Sequence, residues 1–390
     1  MIRRCIVIVL NGVGLGALPD AEGDREGAIG ALGHAFAAKP EVTLSTLEAL
    51  GLGHIAPYPQ LRRMDQPEGC FGRLIRQSPG SDAMTAWWEL AGAPVNNALP
   101  SYRGELPETV RRLVERVAQC GTTVPRSDVP EEMLVSGVPH AARERKILVW
   151  GDAGGTCYLG AHESLLTAKD LFRLAREVRT ATGEAMGIWR VGARPFAGGA
   201  GSWHWAEGWR DSCVPLPTKS VFEHLLGAEQ LVTGFGKCGD FFNGKGFTRS
   251  IPIESTARTW SDLLTTLSTT PRGLIVVGLF DDLVRLPRKQ FPSALAEQLG
   301  QFDTHLRDLQ RLLKPDDCVC VMSDQSRDVH LPHYGSREYA PLLVFGPKLA
   351  RGVNLGDRTS YADLGQTIAE AFDAAELSVG ESFLSALRSG

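Results

Sequence analysis

The chain has 390 residues, of which 43% are hydrophobic and 22% charged, enough for a large α/β unit or two domains and unlike a disordered or fibrous protein. Its 41 Lys and Arg stand against 45 Asp and Glu, a net charge of −4, so no broad basic field is available to gather nucleic acid or anionic lipid and a small ligand is the better match. The apolar runs 5–10, 274–279 and 342–345 are strand-sized, far short of the roughly 20 residues that span a bilayer, and Met1-Ile-Arg-Arg runs straight into a strand pattern instead of a signal peptide. These features favour a cytoplasmic protein without a membrane partner.

Taken in order, Cys5-Ile-Val-Ile-Val-Leu10 is a continuous β-branched run of the kind found in a strand covered on both faces, and it ends in Asn11-Gly-Val-Gly-Leu-Gly16. Chemistry in open α/β sheets gathers at such carboxyl ends. Gly12, Gly14 and Gly16 lack the G-x-G-x-x-G spacing, and Pro19-Asp20 follows at once, which argues against a dinucleotide site. Residues 43–50 read as a short helix and 71–75 as a strand. The run Gly80-Ser-Asp-Ala-Met-Thr-Ala-Trp-Trp-Glu-Leu-Ala-Gly92 then breaks into a helix, with Thr85 near its start. Unpaired backbone N–H groups and the helix dipole favour an anion there, so Thr85 is either a phosphate-carrying hydroxyl or a helix cap.

Between about 95 and 217 the pattern restarts, with Val110, Leu113, Val114 and Val117 at helical spacing, a strand at 147–150, a helix at 165–179 and a strand at 187–191. After Pro215-Leu-Pro217 a long alternation resumes: helices at 220–226, 259–267, 294–313 and 361–372, strands at 231–235, 274–279, 318–322 and 342–345. Regular alternation argues for a largely parallel sheet with helices on both sides. Ala197-Gly-Gly-Ala-Gly201 reads as a flexible loop. The eight cysteines are scattered and imply neither a disulfide framework nor a zinc knuckle. Cys318 and Cys320 are expected on opposite faces of their strand.

Four stretches carry a resemblance that covers nearly the whole chain: Ser81-Asp-Ala-Met-Thr-Ala-Trp-Trp-Glu-Leu-Ala-Gly92; Arg190-Val-Gly-Ala-Arg-Pro-Phe196; Phe302-Asp303 onward to Ser323-Asp324; and Phe345-Gly-Pro-Lys348 with Tyr361-Ala-Asp-Leu-Gly-Gln-Thr367. In order and spacing they resemble the phosphopentomutases of the alkaline phosphatase superfamily. The resemblance implies an α/β fold: an alkaline-phosphatase-like core of mostly parallel sheet with helices on both faces, residues 1–96 and 217–390, and an inserted α/β cap domain, residues 97–216. It also implies a threonine that carries the phosphoryl group between two divalent metals, usually manganese, while ribose 1-phosphate and ribose 5-phosphate interconvert. Thr85 occupies that position.

The implied metal ligands have changed. Asn11 stands for the first-strand aspartate, Asp282 is kept while Pro287 takes a histidine position, Asp324-Gln325 replaces an Asp-His pair, and Gly335 takes the last histidine position, three residues before the retained Glu338. Proline and glycine side chains offer no donor atom, so the position built on Asp282 is expected to be empty. Asn11, Thr85, Asp324 and Gln325 are oxygen donors suited at most to one weakly held Mg or Mn ion, and the expectation is no cofactor, with that single ion as the alternative. His330 and His333 with Asp328 offer a rebuilt site, and Arg285, Arg288, Lys289 and Arg327 offer cations in place of metal charge, or else solvated surface charge. The resemblance places Arg190, Arg194 and Lys237 around a sugar phosphate; the aspartate it implies for ribose hydroxyls aligns with Gly154, leaving Asp152 as a substitute. Trp203, Trp205 and Trp209 are a stacking surface or cap core. The expected function is binding of a phosphorylated pentose or nucleotide-like ligand with lost or much reduced mutase activity. The alternatives are an active phosphotransferase working through Thr85 with one metal, and a non-catalytic scaffold with a protein partner.

Overall fold

Residue alternation in the first strand divides the interior into two layers. The computed structural model describes residues 2–21, 30–56, 58–102, 105–127, 129–252, 255–329 and 335–388, and of Glu184, Val284 and Arg285 the backbone alone. Strand β1 (Arg4–Gly12) is buried along its whole length. Its even-numbered Ile6, Ile8 and Leu10 enter one apolar layer with the helices Ala31–Ala38, Thr256–Thr269 and Phe291–Leu312. Its odd-numbered Cys5, Val7 and Val9 enter the other, with the helices Ala83–Leu90, Val221–Gly227 and Ala362–Ala371. A two-residue side-chain period with apolar residues on both phases requires helices on both faces.

The remaining strands are β2 (Cys70–Leu74), β3 (Thr122–Thr123), β4 (Ile147–Asp152), β5 (Thr156–His162), β6 (Arg190–Ala197), β7 (His204–Trp205), β8 (Arg210–Cys213), β9 (Val232–Phe235), β10 (Arg249–Ile251), β11 (Gly273–Leu279), β12 (Asp317–Ser326), β13 (Ala340–Phe345) and β14 (Asn354–Arg358). Among the described residues they form an eight-stranded sheet in the order β10-β9-β11-β1-β12-β13-β2-β14 and a second sheet built from β3 to β8. In the first sheet β9, β10, β11, β1 and β12 run parallel, whereas β13 is antiparallel to both β12 and β2. The described part of the link from β12 to β13 contains no crossover helix, the element a parallel return needs. The second sheet is mixed: β3 with β4 and β5 with β6 are parallel, while β4 with β5 and β6 with β7 and β8 are antiparallel.

Two expectations are corrected. Cys318 and Cys320 share a face of β12, with sulfurs 3.8 Å apart and Cys5 beside them on β1; residues two apart in a strand project to the same side. The strand expected at 187–191 starts only at Arg190, because Gly187 turns the chain with φ +71°. Among the described residues no helix is long and apolar enough to cross a membrane.

The helix Ala83–Leu90 is held by Glu89, a fully buried carboxylate. It accepts hydrogen bonds from the Gln77 and Ser78 amides at 2.9 and 2.7 Å, the Ser360 hydroxyl at 2.8 Å and the Tyr361 amide at 3.0 Å. One side chain thereby ties this helix to the exit of β2 and to the start of the helix Ala362–Ala371. Replacing it with alanine strands these buried donors, each costing about 1–3 kcal/mol. Glu89→Ala should lose on the order of 4 kcal/mol in urea denaturation, and a loss below about 1 kcal/mol would show that the clamp is dispensable.

Candidate functional site

The carboxyl ends of the parallel strands meet at the floor of a cleft between the two sheets, the place where open α/β sheets bind ligands. Lys237 follows β9, Asp281 and Asp282 follow β11, Asn11 closes β1, and Asp324 and Gln325 lie near the end of β12. The Lys237 ammonium is 2.8 Å from an Asp281 oxygen. The same oxygen accepts from Asn11 Nδ2 at 3.0 Å, and Asn11 Oδ1 accepts from Gln325 Nε2 at 3.4 Å. Asp324 accepts from the Trp87 indole at 3.0 Å and the Gln325 amide at 2.7 Å. Asp282 turns away to accept from the Thr256 hydroxyl at 2.7 Å. The member of this Asp pair that meets Asn11 and Lys237 is therefore Asp281, which spacing alone passed over.

Burial works against the Lys237 charge, but Asp281 and Asp324 outweigh it and hold its pKa above the usual lysine value. Burial together with Asp281 pushes the Asp324 carboxyl up to about 6, against the pull of Lys237 and the Trp87 N–H. Asp281, Asp324 and the Asn11 amide oxygen thus each already accept from a protein donor.

Thr85 is completely buried. Its helix is capped by Asp82, which accepts the Thr85 amide at 2.9 Å and the Thr85 hydroxyl at 2.7 Å. Arg76 donates to the same hydroxyl and lies 3.4 Å from an Asp82 oxygen. Ser81, Asp82 and Ala83 line the cleft; Thr85 is not among its lining residues. The cap residue is thus Asp82, and Thr85 is the third helical residue, enclosed by an arginine and an aspartate.

The opposite wall comes from the second sheet. Arg190 and Arg194 stand on one face of β6, both more than nine-tenths buried. Arg194 donates to Asp211 at 2.7 Å and to the Ala193 and Arg210 carbonyls at 2.9 and 3.1 Å. Arg190 donates to the Thr156 and Tyr158 hydroxyls at 3.1 and 2.9 Å and lies 4.0 Å from Asp211. Burial alone would raise the Asp211 pKa, but Arg194 and Arg190 outweigh it and hold this carboxyl below its ordinary value. Gly192 permits the arrangement, since a methyl group there would come within 2.6 Å of both Asp211 and Tyr158. Asp152 accepts from the Ala153 amide at 2.7 Å and the Tyr158 hydroxyl at 3.4 Å and also lines the cleft. Arg210 pairs with Asp240 at 2.7 Å, which joins β8 to the helix Lys237–Phe241 and so fixes one wall against the other.

The cleft encloses about 150 Å³ and brings Asp152, Arg190, Arg194, Lys237, Asp282 and Gln325 to one cavity. Asn11 and Asp324 lie beneath it. Among the described residues, the one trio of His, Cys, Asp or Glu whose ligand atoms gather within 4.8 Å is Cys5, Cys318 and Cys320, in the core. His330 and His333 and the Arg285 side chain lie outside the described residues. Asp328 pairs with His34 at 3.3 Å, and Arg327 is buried over the Phe291 ring at 4.6 Å. Arg76, Asp211 and Asp281 were missed by sequence reasoning. Only the adjacency of Asp281 to Asp282 gave any signal.

A two-layered α/β core with its cleft at the strand carboxyl ends, roofed by a second sheet, is the architecture of an alkaline-phosphatase-like protein. No family model matches the chain. The phosphopentomutase of Desulfitobacterium hafniense is 30% identical over 387 residues, covering 99% of this chain and 100% of the relative, and that of Clostridium novyi is 30% identical over 396 residues, covering 98% and 99%. A solved protein of the alkaline phosphatase superfamily from Vibrio parahaemolyticus aligns with 98% of this chain and 70% of its own at 8% identity, with a TM-score of 0.47. On its full-length relatives, the chain belongs to the phosphopentomutase family.

Asp324 gives the floor a pH signature. The folded state holds this proton more tightly than the unfolded chain, where an aspartate titrates near about 3.9. Its contribution therefore falls as the pH rises from about 4 to about 6 and stays low above that. Asp324→Asn removes this titration. Relative to wild type, the variant should gain about 1–3 kcal/mol between pH 4 and pH 7 in urea denaturation; a pH-independent difference would mean that Asp324 titrates normally.

Proposed function

We propose that this protein binds a phosphorylated pentose in the cleft between its two sheets and that its mutase activity is lost or much reduced. On this reading residues 97–216 act as the cap over a core of residues 1–96 and 217–390. The observation that carries the reading is the Lys237 ammonium seated 2.8 Å from Asp281, with Asn11 donating to the same carboxylate. A fixed protein cation thus holds the carboxylate that Asn11, which stands for the first-strand metal ligand of the resemblance, also engages.

The donor set does not fit two metals. Divalent ions at such sites need several convergent carboxylate or imidazole donors. Here Asp281 and Asp324 have protein donors, Asp282 faces Thr256, and Asn11 offers an amide already engaged with Asp281 and Gln325. A single Mg or Mn ion on Asn11, Thr85, Asp324 and Gln325 meets the same objection, since the Thr85 hydroxyl is held by Asp82 and Arg76.

The cap wall supports phosphate binding. Arg190 and Arg194 are the two guanidinium groups on this wall and share the carboxylate of Asp211. Elsewhere the carboxylates Asp82, Asp240, Asp281 and Asp282 line the cleft, so an anion is best received at the two guanidinium groups. Asp152, partly exposed beside them, is placed to accept from pentose hydroxyls.

Titration calorimetry tests the reading. Ribose 5-phosphate should bind the wild type, and Arg194→Gln should weaken it by about tenfold or more, the loss expected for a charge-assisted contact of about 1.5–3 kcal/mol. Manganese chloride or a chelator should leave both the affinity and the melting temperature unchanged. Turnover of ribose 1-phosphate with added manganese, or phosphate mass on Thr85 after incubation with a sugar bisphosphate, would overturn the loss of mutase activity. Failure of ribose 5-phosphate to bind would overturn the ligand.

A further inference from the structure

We infer that the cap wall carries a base-stacking subsite, so that the preferred ligand is a nucleoside 5′-monophosphate and not a bare pentose phosphate; this rests on reading the cleft as a pentose-phosphate site. Four aromatic side chains, Tyr158, Trp150, Trp205 and Trp209, line the cavity. Their rings form an unbroken series, Tyr158 to Trp150 at 5.1 Å, Trp150 to Trp205 at 5.9 Å and Trp205 to Trp209 at 5.7 Å between centroids. Arg194 closes the series, its guanidinium 4.5 Å from the Tyr158 ring and 4.7 Å from the Trp209 ring.

Trp150, Tyr158 and Trp205 also pack in a small apolar cluster with Leu148 and Phe196, whereas Trp209 lies outside that cluster and lines the cavity. The principal apolar layer of the second sheet lies on its other face, around Val149, Leu159 and Val191, and contains none of the four rings. Trp203 is partly buried, edge-on to His162 at 5.7 Å, and is absent from the cavity wall. Trp205 and Trp209 face the cavity and remain partly exposed, as does Tyr158. Of the three tryptophans that the sequence presents as one cluster, Trp205 and Trp209 line the cavity and Trp203 does not.

The chemistry of the ring series selects its occupant. Aromatic walls attract cations, but Arg194 already stands on two of these rings, and a cationic ligand would meet its guanidinium. A neutral planar heterocycle meets no such repulsion and stacks on indole whatever its hydrogen-bonding pattern. The groups are also spaced for one ligand. The guanidinium assigned to the phosphate is 4.7 Å from the Trp209 ring, and Trp205 is a further 5.7 Å on, within reach of the base of a molecule whose phosphate is held by Arg190 and Arg194.

AMP and ribose 5-phosphate share their phosphate and pentose, so their difference in affinity isolates the base. Titration calorimetry of each into the wild type should find AMP tighter by roughly tenfold or more, as expected for one stacked base. Trp205→Ala should close that gap, and Trp205→Phe, which retains a ring and guards against simple misfolding, should restore part of it. Equal wild-type affinities, or an AMP advantage that survives Trp205→Ala, would overturn the base subsite while leaving the pentose-phosphate reading intact. Absence of binding by both compounds would overturn that reading and this inference together.

Discussion

The ion pair between Lys237 and Asp281 is the contact on which the floor of the cleft depends. Parallel strands bring polar side chains together at their carboxyl ends, and here Asp281 and Asp324 are drawn into a region with little access to water. Buried carboxylates demand a positive partner or a proton. Lys237 supplies the charge for Asp281, and Asp324 answers in part by holding its proton up to about pH 6. Asn11, Gln325 and Trp87 complete the hydrogen bonding, so the floor is satisfied by the protein's own groups.

The cap wall solves a similar problem with the opposite sign. Two buried guanidinium groups on β6 need negative charge, and Asp211 from β8 supplies it for both. The absent side chain at Gly192 lets Asp211 and Tyr158 approach β6. The two cations of this wall thus share one buried anion, while Lys237 is the cation of the floor. Arg210 with Asp240 sets the second sheet against the core.

The threonine near the start of the helix Ala83–Leu90 is enclosed by groups from outside its own helical turns. Its helix is clamped at the far end by Glu89 and capped at the near end by Asp82. Arg76 then closes over the hydroxyl, which leaves it fully buried. The neighbours that decide whether this hydroxyl meets a ligand come from β2 and its exit, not from the helix itself.

The two-sided burial of β1 and the alternation of strands and helices after Pro217 were legible in the amino-acid order, because periodicity is local and a strand apolar on both phases must be covered twice. The restart of the pattern after Val95 likewise announced a separate sheet. The family resemblance picked out Arg190, Arg194 and Gln325, which line the cleft. The antiparallel setting of β13, the shared face of Cys318 and Cys320, the choice of Asp281 over Asp282 to meet Lys237, and the enclosure of Thr85 by Arg76 were decided by the tertiary structure. These depend on direction and on partners distant in sequence, where a few degrees of backbone rotation determine which of two adjacent side chains faces the cleft. Composition and spacing named the kinds of group available; only folding determined which charges neutralise one another and which remain for a ligand.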